Sequence, residues 1–168
     1  MEEYVLDELD YKILNLISND ARMSFLEVSR ICNVSGAAVH QRVQKMIAHN
    51  VITGSEFKLN LNKIGYETCA YLNLRSNGME ALETIVKKLN EIPEIVECHL
   101  TVGDFDLFVK VYANNNMYLL DIINQQLKPL GLVCVSSMIS YGEVFRKQIT
   151  FEDRLDNTAH VADLAKDL

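Results

Sequence analysis

Apolar residues in the first fifty positions recur at the spacing of three short helices. The first stripe has i, i+4, i+7, i+8 spacing and comprises Leu9, Ile13, Leu16 and Ile17. Asp7 precedes it as a favourable N-cap, and Asn19-Asp20 ends it. Ser24 and Glu27 match an S-x-x-E capping box, which predicts a second helix to about Cys32. This second helix is expected to bury Leu26, Val28 or Ile31.

A tight turn, Asn33-Val34-Ser35, precedes the third predicted helix. Ser35 is its expected N-cap, and the helix runs to about Ala48 with a core stripe of Val39, Val43, Met46 and Ile47. The following sequence VITGSEFKLN alternates and contains Gly54, which predicts a small hairpin. Three helices with a short turn between the last two, followed by a hairpin, are typical of a winged helix-turn-helix.

The outward face of the third helix carries the candidate DNA contacts. It contains no acidic residue, and its small N-terminal alanines permit close approach to a groove. Glutamine can pair with adenine, alanine can touch a thymine methyl, and arginine and lysine suit phosphate or guanine. Serine and backbone N–H groups at a helix start can hold a phosphate. The candidate DNA-binding residues are Ser35, Ala37, Ala38, Gln41, Arg42 and Lys45.

This face alone does not distinguish a DNA reader from an ordinary solvated helix, since every small three-helix domain has a polar surface. The formal net charge of -7 also argues against nucleic-acid binding. The charge is uneven, however. Five of the acids lie in the first ten residues, whereas the stretch 21–58 has five Lys or Arg against two acids. A local basic surface is therefore compatible with an acidic chain.

The pattern changes to alternation after residue 66. Strands are predicted over 67–75, 95–102, 105–112 and 132–145, with helices ending near Asn90 and near Leu127. This βαββαβ order is the ferredoxin-like split unit, in which two helices cover one face of an antiparallel sheet. The other face would carry Tyr71, Phe108 and Tyr112. Such a face is a large apolar patch, and a second copy with two-fold symmetry is its simplest partner.

Composition bears on the cellular location of the protein and on the role of its cysteines. Of the 168 residues 49% are hydrophobic, but no run reaches the roughly 18 apolar residues of a membrane helix. The acidic start MEEYVLDELDYK is unlike a signal peptide, so a cytoplasmic location is predicted. The cysteines form no C-x-x-C pair, and they are expected to be small buried residues without a metal: Cys32, Cys69, Cys98 and Cys134.

The two halves together resemble the Lrp/AsnC family of feast/famine transcriptional regulators. Three motifs in this order carry the resemblance: Leu6-Asp7-x-x-Asp10, Asn50-Val51-Ile52 and Gly103-Asp104-Phe105-Asp106. It implies an α+β chain, with a winged helix-turn-helix and hinge strand over 1–60 and a ferredoxin-like regulatory (RAM) domain over 61–147. An acidic tail follows over 148–168. The spacing of Val161, Leu164 and Leu168 is compatible with a short amphipathic helix, and disorder of the tail is an equally open alternative.

The resemblance also implies homodimers, which assemble further into tetramers or octamers, and an amino-acid or related effector bound between RAM domains. No cofactor or metal is implied. The effector-binding residues it implies are Thr101, Gly103, Asp104, Phe105 and Asp106 in a loop, and Ser137, Met138, Ile139 and Ser140 on the last strand. Either Asp104 or Asp106 could meet an α-amino group, and backbone N–H groups near Gly103 could take a carboxylate.

Two other interpretations compete with a DNA-binding regulator of this kind. One is a metabolite-sensing oligomerisation module with little DNA binding; the acid-free face of the third helix argues against it. The other is an enzyme using Asp104 and Asp106, which share a strand face. No third carboxylate stands nearby to complete such a site, and His99, on the polar face of its strand, is expected to be an interface residue rather than a catalytic base. No nucleophile elbow, phosphate loop or metal motif appears. The sequence therefore predicts a protein that is not an enzyme.

Overall fold

The computed structural model describes residues 4–151, and the chain divides into two compact units. Among the described residues, the first unit comprises 4–58 together with 146–151, and the second comprises 59–145. The tail residues Val161, Leu164 and Leu168, for which the sequence leaves a helix and disorder equally open, lie outside the described residues.

The first unit contains the three predicted helices: α1 (Glu8–Asn19), α2 (Phe25–Cys32) and α3 (Gly36–Ala48). Their starts confirm the predicted caps. The Asp7 carboxylate accepts from the Asp10 N–H at 2.9 Å, and Ser24 Oγ accepts from the Glu27 N–H at 3.2 Å. Ser35 Oγ accepts from Ala38 N–H at 3.1 Å. Each bond satisfies an amide that the helix itself leaves without a partner, which fixes where the helix begins.

The core of this unit departs from the predicted stripes. Its buried apolar residues are Ile13, Leu14, Val28, Cys32, Val39, Val43 and Met46. The predicted Leu26, Ile31 and Ile47 are exposed instead. The reason is geometric: each short helix is covered on one side only by its two neighbours, so apolar residues at the margins of the stripe stay in contact with water.

The end of the chain's described part belongs to this first unit. The Phe151 ring lies 5.7 Å from that of Tyr11, and its N–H donates to Asn15 Oδ1 at 2.8 Å. Phe151 also packs against the helical core. A residue that follows the whole second unit in sequence thus completes the packing of α1.

The predicted hairpin wing is wrong. Residues 51–60 contain no strand, and they lead into a 3-10 turn over Leu61–Ile64. An isolated two-stranded hairpin is marginal in water unless a further strand or a helix covers it. Here the apolar side chains of Phe57 and Leu59 remain exposed, so no such cover stabilises a hairpin. The guanidinium of Arg22 lies 5.1 Å above the Phe57 ring.

The second unit confirms the βαββαβ order. Its elements are β1 (Thr68–Ser76), α4 (Leu82–Leu89), β2 (Ile95–Leu100), β3 (Leu107–Ala113), α5 (Asn116–Asp121) and β4 (Leu132–Ser140). The strands form one antiparallel sheet in the order β2-β3-β1-β4. β4 stops at Ser140, earlier than the predicted Phe145, because Ser140 pairs with Cys69 near the start of β1 and little partner strand remains beyond it.

The second helix of this unit is not the single α-helix that the sequence predicts. After α5 the chain continues through a π-helical segment, Ile122–Leu127, and a short 3-10 turn, Lys128–Leu130. In a π-helix, residues five apart lie nearly above one another because each turn closes with an i to i+5 bond. Both Ile122 and Leu127 are buried, and the wider turn keeps them on the same side.

The helices cover one face of the sheet, where Leu72, Leu74, Leu107 and Val109 are buried. The other face carries the predicted aromatics, with Tyr71 and Phe108 stacked at 5.5 Å. It also holds Lys110, which is only 3% exposed and was not expected from the sequence.

The ammonium of Lys110 lies 5.7 Å and 5.5 Å from the Tyr71 and Tyr112 ring centroids, and 3.2 Å from the Glu97 carboxylate. Burial opposes its charge. The hydrogen bond and the charge of Glu97 nevertheless raise the pKa of Lys110 above its ordinary value. Lys110 is therefore a fixed cation within the aromatic face.

Candidate DNA-binding and effector sites

The exposed side of α3 places most of the predicted DNA contacts together. Ala37, Gln41 and Lys45 are exposed, and Ala38 is half-buried between them. Ala38, Gln41 and Lys45 line one surface depression. The Ser35 hydroxyl caps the helix as an acceptor, and its hydrogen remains able to donate to a phosphate. This arrangement presents small side chains, one amide and one cation at the beginning and middle of a helix.

Arg42 differs from the other predicted contacts because its guanidinium is already paired. Its Nη1 donates to Asp7 at 2.6 Å and to Asp10 at 2.8 Å. These hydrogen bonds raise the pKa of Arg42 still further above its usual value. Burial works against the charge of Asp7, but Arg42 and the Asp10 N–H hold the pKa of Asp7 below its usual value. Arg42 therefore already has partners within the fold, which distinguishes it from Gln41 and Lys45 on the same helix.

The partner of Arg42, Asp10, belongs to the Leu6-Asp7-x-x-Asp10 motif, but the sequence analysis gave it no structural role. Its side chain is 2% exposed, and its Oδ2 accepts the hydroxyl of Tyr4 at 3.0 Å. The Tyr4 ring stacks on His49 at 5.1 Å, at the end of α3. The sequence does contain a signal for the role of Asp10. It lies three residues after the N-cap Asp7, where an acid completes a capping box.

The loop between β2 and β3 contains the other group of predicted site residues. Thr101 N–H donates to the Asp106 carbonyl at 2.9 Å, and Thr101 Oγ donates to the Phe105 carbonyl at 2.7 Å. These bonds close a tight loop. Gly103 within this loop has a φ of 142°, a backbone conformation that residues other than glycine rarely adopt.

The two aspartates of this loop have different roles. The Asp106 carboxylate accepts from the Ser76 N–H at 2.7 Å, so it ties the loop to the end of β1. Asp104 is held through its backbone, since Arg75 Nε donates to its carbonyl at 3.0 Å. Its carboxylate is exposed and makes no hydrogen bond or ion pair within residues 4–151. Asp104 is therefore the loop acid that remains available to a ligand.

The structure does not bring the loop together with the predicted residues of β4. The loop joins β2 to β3 and contacts the end of β1 at Ser76, which pairs with Leu132. Ser137, Met138, Ile139 and Ser140 pair instead with the other half of β1, from Leu72 to Cys69. β4 is also separated from β3 by β1, about 10 Å away. A single chain does not form one pocket from both groups.

No group of three or more His, Cys, Asp or Glu side chains with metal-binding geometry occurs among residues 4–151. Within the same residues, no helix has the length and apolar character needed to cross a membrane.

The fold and the exposed α3 face define a class of protein: a helix-turn-helix DNA-binding unit joined to a ferredoxin-like unit. Comparison with known proteins gives the family. Residues 6–47 match the AsnC-type helix-turn-helix domain, and residues 69–150 match the Lrp/AsnC ligand-binding domain. The regulatory protein AsnC of Haemophilus influenzae is 32% identical over 109 residues, which are 65% of this chain and 73% of that protein.

The chain belongs to the Lrp/AsnC family of transcriptional regulators. Solved structures share its fold. E. coli AsnC has a TM-score of 0.75 at 24% identity, covering 88% of this chain and 99% of that one. A transcriptional regulator from Neisseria meningitidis, solved as a complex with L-Met, has a TM-score of 0.80 at 16% identity, covering 89% and 99%.

Proposed function

We propose that the protein binds specific DNA sequences through α3 as a homo-oligomer, and that an amino acid or related small metabolite bound between ligand-binding domains modulates this binding. The observation that carries the proposal is the exposed α3 face, on which Ala37, Gln41 and Lys45 stand free of any acidic neighbour on the same helix. Ser35 and the helix start hold a phosphate, Gln41 reads a base edge, and Lys45 binds backbone or guanine.

For the effector, the proposal assigns the ammonium-binding role to Asp104 and leaves Asp106 as the residue that fixes the loop. That loop is shaped by Thr101, Gly103 and Phe105. Backbone N–H groups near Gly103 bind the carboxylate of the effector. Ser137, Met138, Ile139 and Ser140 complete the site from another copy of the chain. Support comes from the separation of the loop from these β4 residues within one chain. It also comes from the Neisseria relative solved with L-Met.

The aromatic face of the sheet supports the oligomer in this proposal. Tyr71, Phe108 and Tyr112 lie on the face that α4 and α5 do not cover, and a second copy would bury them. Two copies also present two α3 helices, so that weak half-site contacts combine through effective concentration. The protein is proposed to act in the cytoplasm, without a cofactor and without catalysis.

The test is a selection of bound fragments from sheared genomic DNA with the full-length protein at near-physiological salt. It is run with and without a mixture of the twenty proteinogenic amino acids. Discrete, repeated sites are expected, with a pattern that changes when the mixture is present. Uniform or absent recovery in both arms, from protein of the correct oligomeric size, would favour a metabolite-sensing module with little DNA binding.

A charge reversal localises the DNA contact. Lys45→Glu is expected to abolish specific binding, because it places a carboxylate on the α3 face where the DNA phosphates would lie. Lys12→Glu is the matched control: it makes the same charge change at an exposed position of α1 and is expected to retain specific binding. Affinity and oligomer size are measured for both. Equal losses in the two variants would show a general electrostatic effect and remove α3 from the proposal.

A further inference from the structure

The start of α1 and the middle of α3 are joined by a single cluster of charged side chains. Arg42 of α3 bonds to Asp7, the N-cap of α1, and to Asp10 in its first turn. Asp10 is the least exposed member, at 1% for the whole residue. A charge buried to this extent is costly unless it is paired, so the Arg42–Asp10 contact is required by the packing of the two helices.

Residues before α1 extend the same cluster along α3. Tyr4 donates its hydroxyl to Asp10 at 3.0 Å, and its ring stacks on His49 at the C-cap of α3. The middle of α3 and its end are therefore both held by residues 4–10. Desolvation and the Asp10 contact together raise the pKa of the Tyr4 hydroxyl, so Tyr4 remains a hydrogen-bond donor at neutral pH.

The charge of the cluster also bears on DNA. One guanidinium is shared between two carboxylates, and both hydrogen bonds come from its Nη1. The sum of the three charges is negative, so the two carboxylates weaken the attraction of Arg42 for a phosphate. Gln41 adjoins Arg42 in sequence, Lys45 lies one helical turn further on, and both are exposed. Rotation or tilt of α3 about the Arg42 contact would move both of these side chains.

We infer that Arg42 is a positioning residue. Held by Asp7 and Asp10, it sets the orientation of α3 relative to α1, and thereby the aim of Gln41 and Lys45 at DNA, without itself contacting DNA. The inference rests on the proposed function of α3 as the reading helix. It assigns specificity to a buried carboxylate on a helix that carries none of the proposed base or phosphate contacts.

Asp10→Asn distinguishes positioning from direct contact by the sign of its effect. If Arg42 bound DNA directly, removal of a competing carboxylate would free it and leave affinity equal or higher. If Arg42 positions α3, the loss of its buried partner lowers affinity for a selected fragment by roughly tenfold or more. Arg42→Gln is expected to show a similar loss. The double variant is expected to be no worse than either single variant, because the two residues act as one unit.

The salt dependence of binding provides a second readout that a merely structural role does not move. Lys45→Gln is the matched control: loss of one phosphate contact should reduce the slope of log affinity against log salt by about 0.9. Arg42→Gln is expected to leave that slope unchanged. Arg42→Lys is a second variant, in case Arg42→Gln does not fold. Lysine keeps a positive charge that can meet a phosphate, but it lacks the planar guanidinium. Positioning predicts weaker binding by Arg42→Lys, and direct contact predicts nearly full binding.

The outcomes separate the inference from the proposed function. Wild-type protein that binds DNA, with Asp10→Asn weaker and with unchanged slopes at Arg42, supports the inference. Wild-type binding with Asp10→Asn as tight or tighter, or a reduced slope in Arg42→Gln, overturns the inference alone. Wild-type protein without sequence preference overturns both, because no helix would then be reading DNA. Melting temperatures of all variants are measured, so that affinities are compared below the onset of unfolding.

Discussion

Replacing each aspartate of the β2–β3 loop with alanine should separate folding from ligand response. Asp106 accepts from the Ser76 N–H at 2.7 Å, and its own N–H donates to the Leu74 carbonyl at 2.9 Å. The first of these bonds is lost in Asp106→Ala, which leaves the amide at the end of β1 without its carboxylate partner. Asp104→Ala removes an exposed carboxylate that bonds to nothing within the described residues.

The expected magnitudes follow from these contacts. A hydrogen bond to a charged group contributes about 1.5–3 kcal/mol, so Asp106→Ala should lower the free energy of unfolding by about 2 kcal/mol. For a unit of this size, 1 kcal/mol corresponds to about 4–8 °C in melting temperature, which gives a fall of at least about 8 °C. Surface substitutions without such contacts usually stay within about 0.5 kcal/mol, and Asp104→Ala belongs to this class.

The assay is thermal unfolding of the full-length variants, followed by the same measurement with the amino-acid mixture. Asp104→Ala should melt like the wild type but lose any stabilisation that the mixture confers. Asp106→Asn is the conservative control: its amide oxygen still accepts from Ser76, so part of the stability should return. Equal destabilisation by Asp104→Ala and Asp106→Ala would refute the assignment of separate roles, as would an undiminished effect of the mixture on Asp104→Ala.

Two further predictions concern an ion pair and a glycine. Because Arg42 lowers the pKa of Asp7, ionised Asp7 stabilises the fold above the ordinary aspartate pKa, and this stabilisation is lost as pH falls through the lowered value. The melting temperature of wild type minus that of Asp7→Asn should therefore be larger at pH 6 than near pH 3; a constant difference would contradict it. Gly131→Ala should cost about 1–3 kcal/mol in denaturant unfolding, since φ is 74° and a Cβ would lie 2.6 Å from Asn77 Oδ1. Gly54→Ala, which meets nothing within 4 Å, should change stability little, and equal costs would contradict the reasoning.

The local signals in the sequence predict element starts well because they depend on neighbouring residues alone. The caps at Asp7, Ser24 and Ser35 are confirmed atom by atom. The βαββαβ order also follows from alternation and from turn residues. The wing failed at residues 51–60 because a hairpin needs cover from elsewhere in the fold, which an alternating pattern does not report.

Charged residues inside the fold escaped the sequence analysis for a related reason. Patterns assign Asp10 and Lys110 to the surface, since such side chains are rarely buried unless paired. Their partners, Arg42 and Glu97, lie 32 and 13 residues away along the chain, a separation that no periodicity reveals. The same separation hid the pairing of Arg42, because only the folded chain shows that its Nη1 already bonds to Asp7 and Asp10.

In the predicted effector loop, the sequence motif did not distinguish the two acids. Asp104 and Asp106 look equivalent in the motif, and the distinction arises from Ser76, 30 residues earlier, which donates its N–H to Asp106 only. The sequence likewise placed the loop and the end of β4 in one site. The strand order separates them within a chain, so these site residues stay predictions that depend on a second copy.

The packing of Phe151 on α1 has a consequence for biosynthesis. Helices α1 to α3 are synthesised before the ligand-binding unit, yet the contact of Phe151 with Tyr11 and Asn15 cannot form until that entire unit has left the ribosome. The DNA-binding unit is thus begun before the ligand-binding unit and completed after it. A fragment cut at residue 60 would carry every proposed DNA contact, but its α1 would lack the aromatic ring that covers it in the full chain.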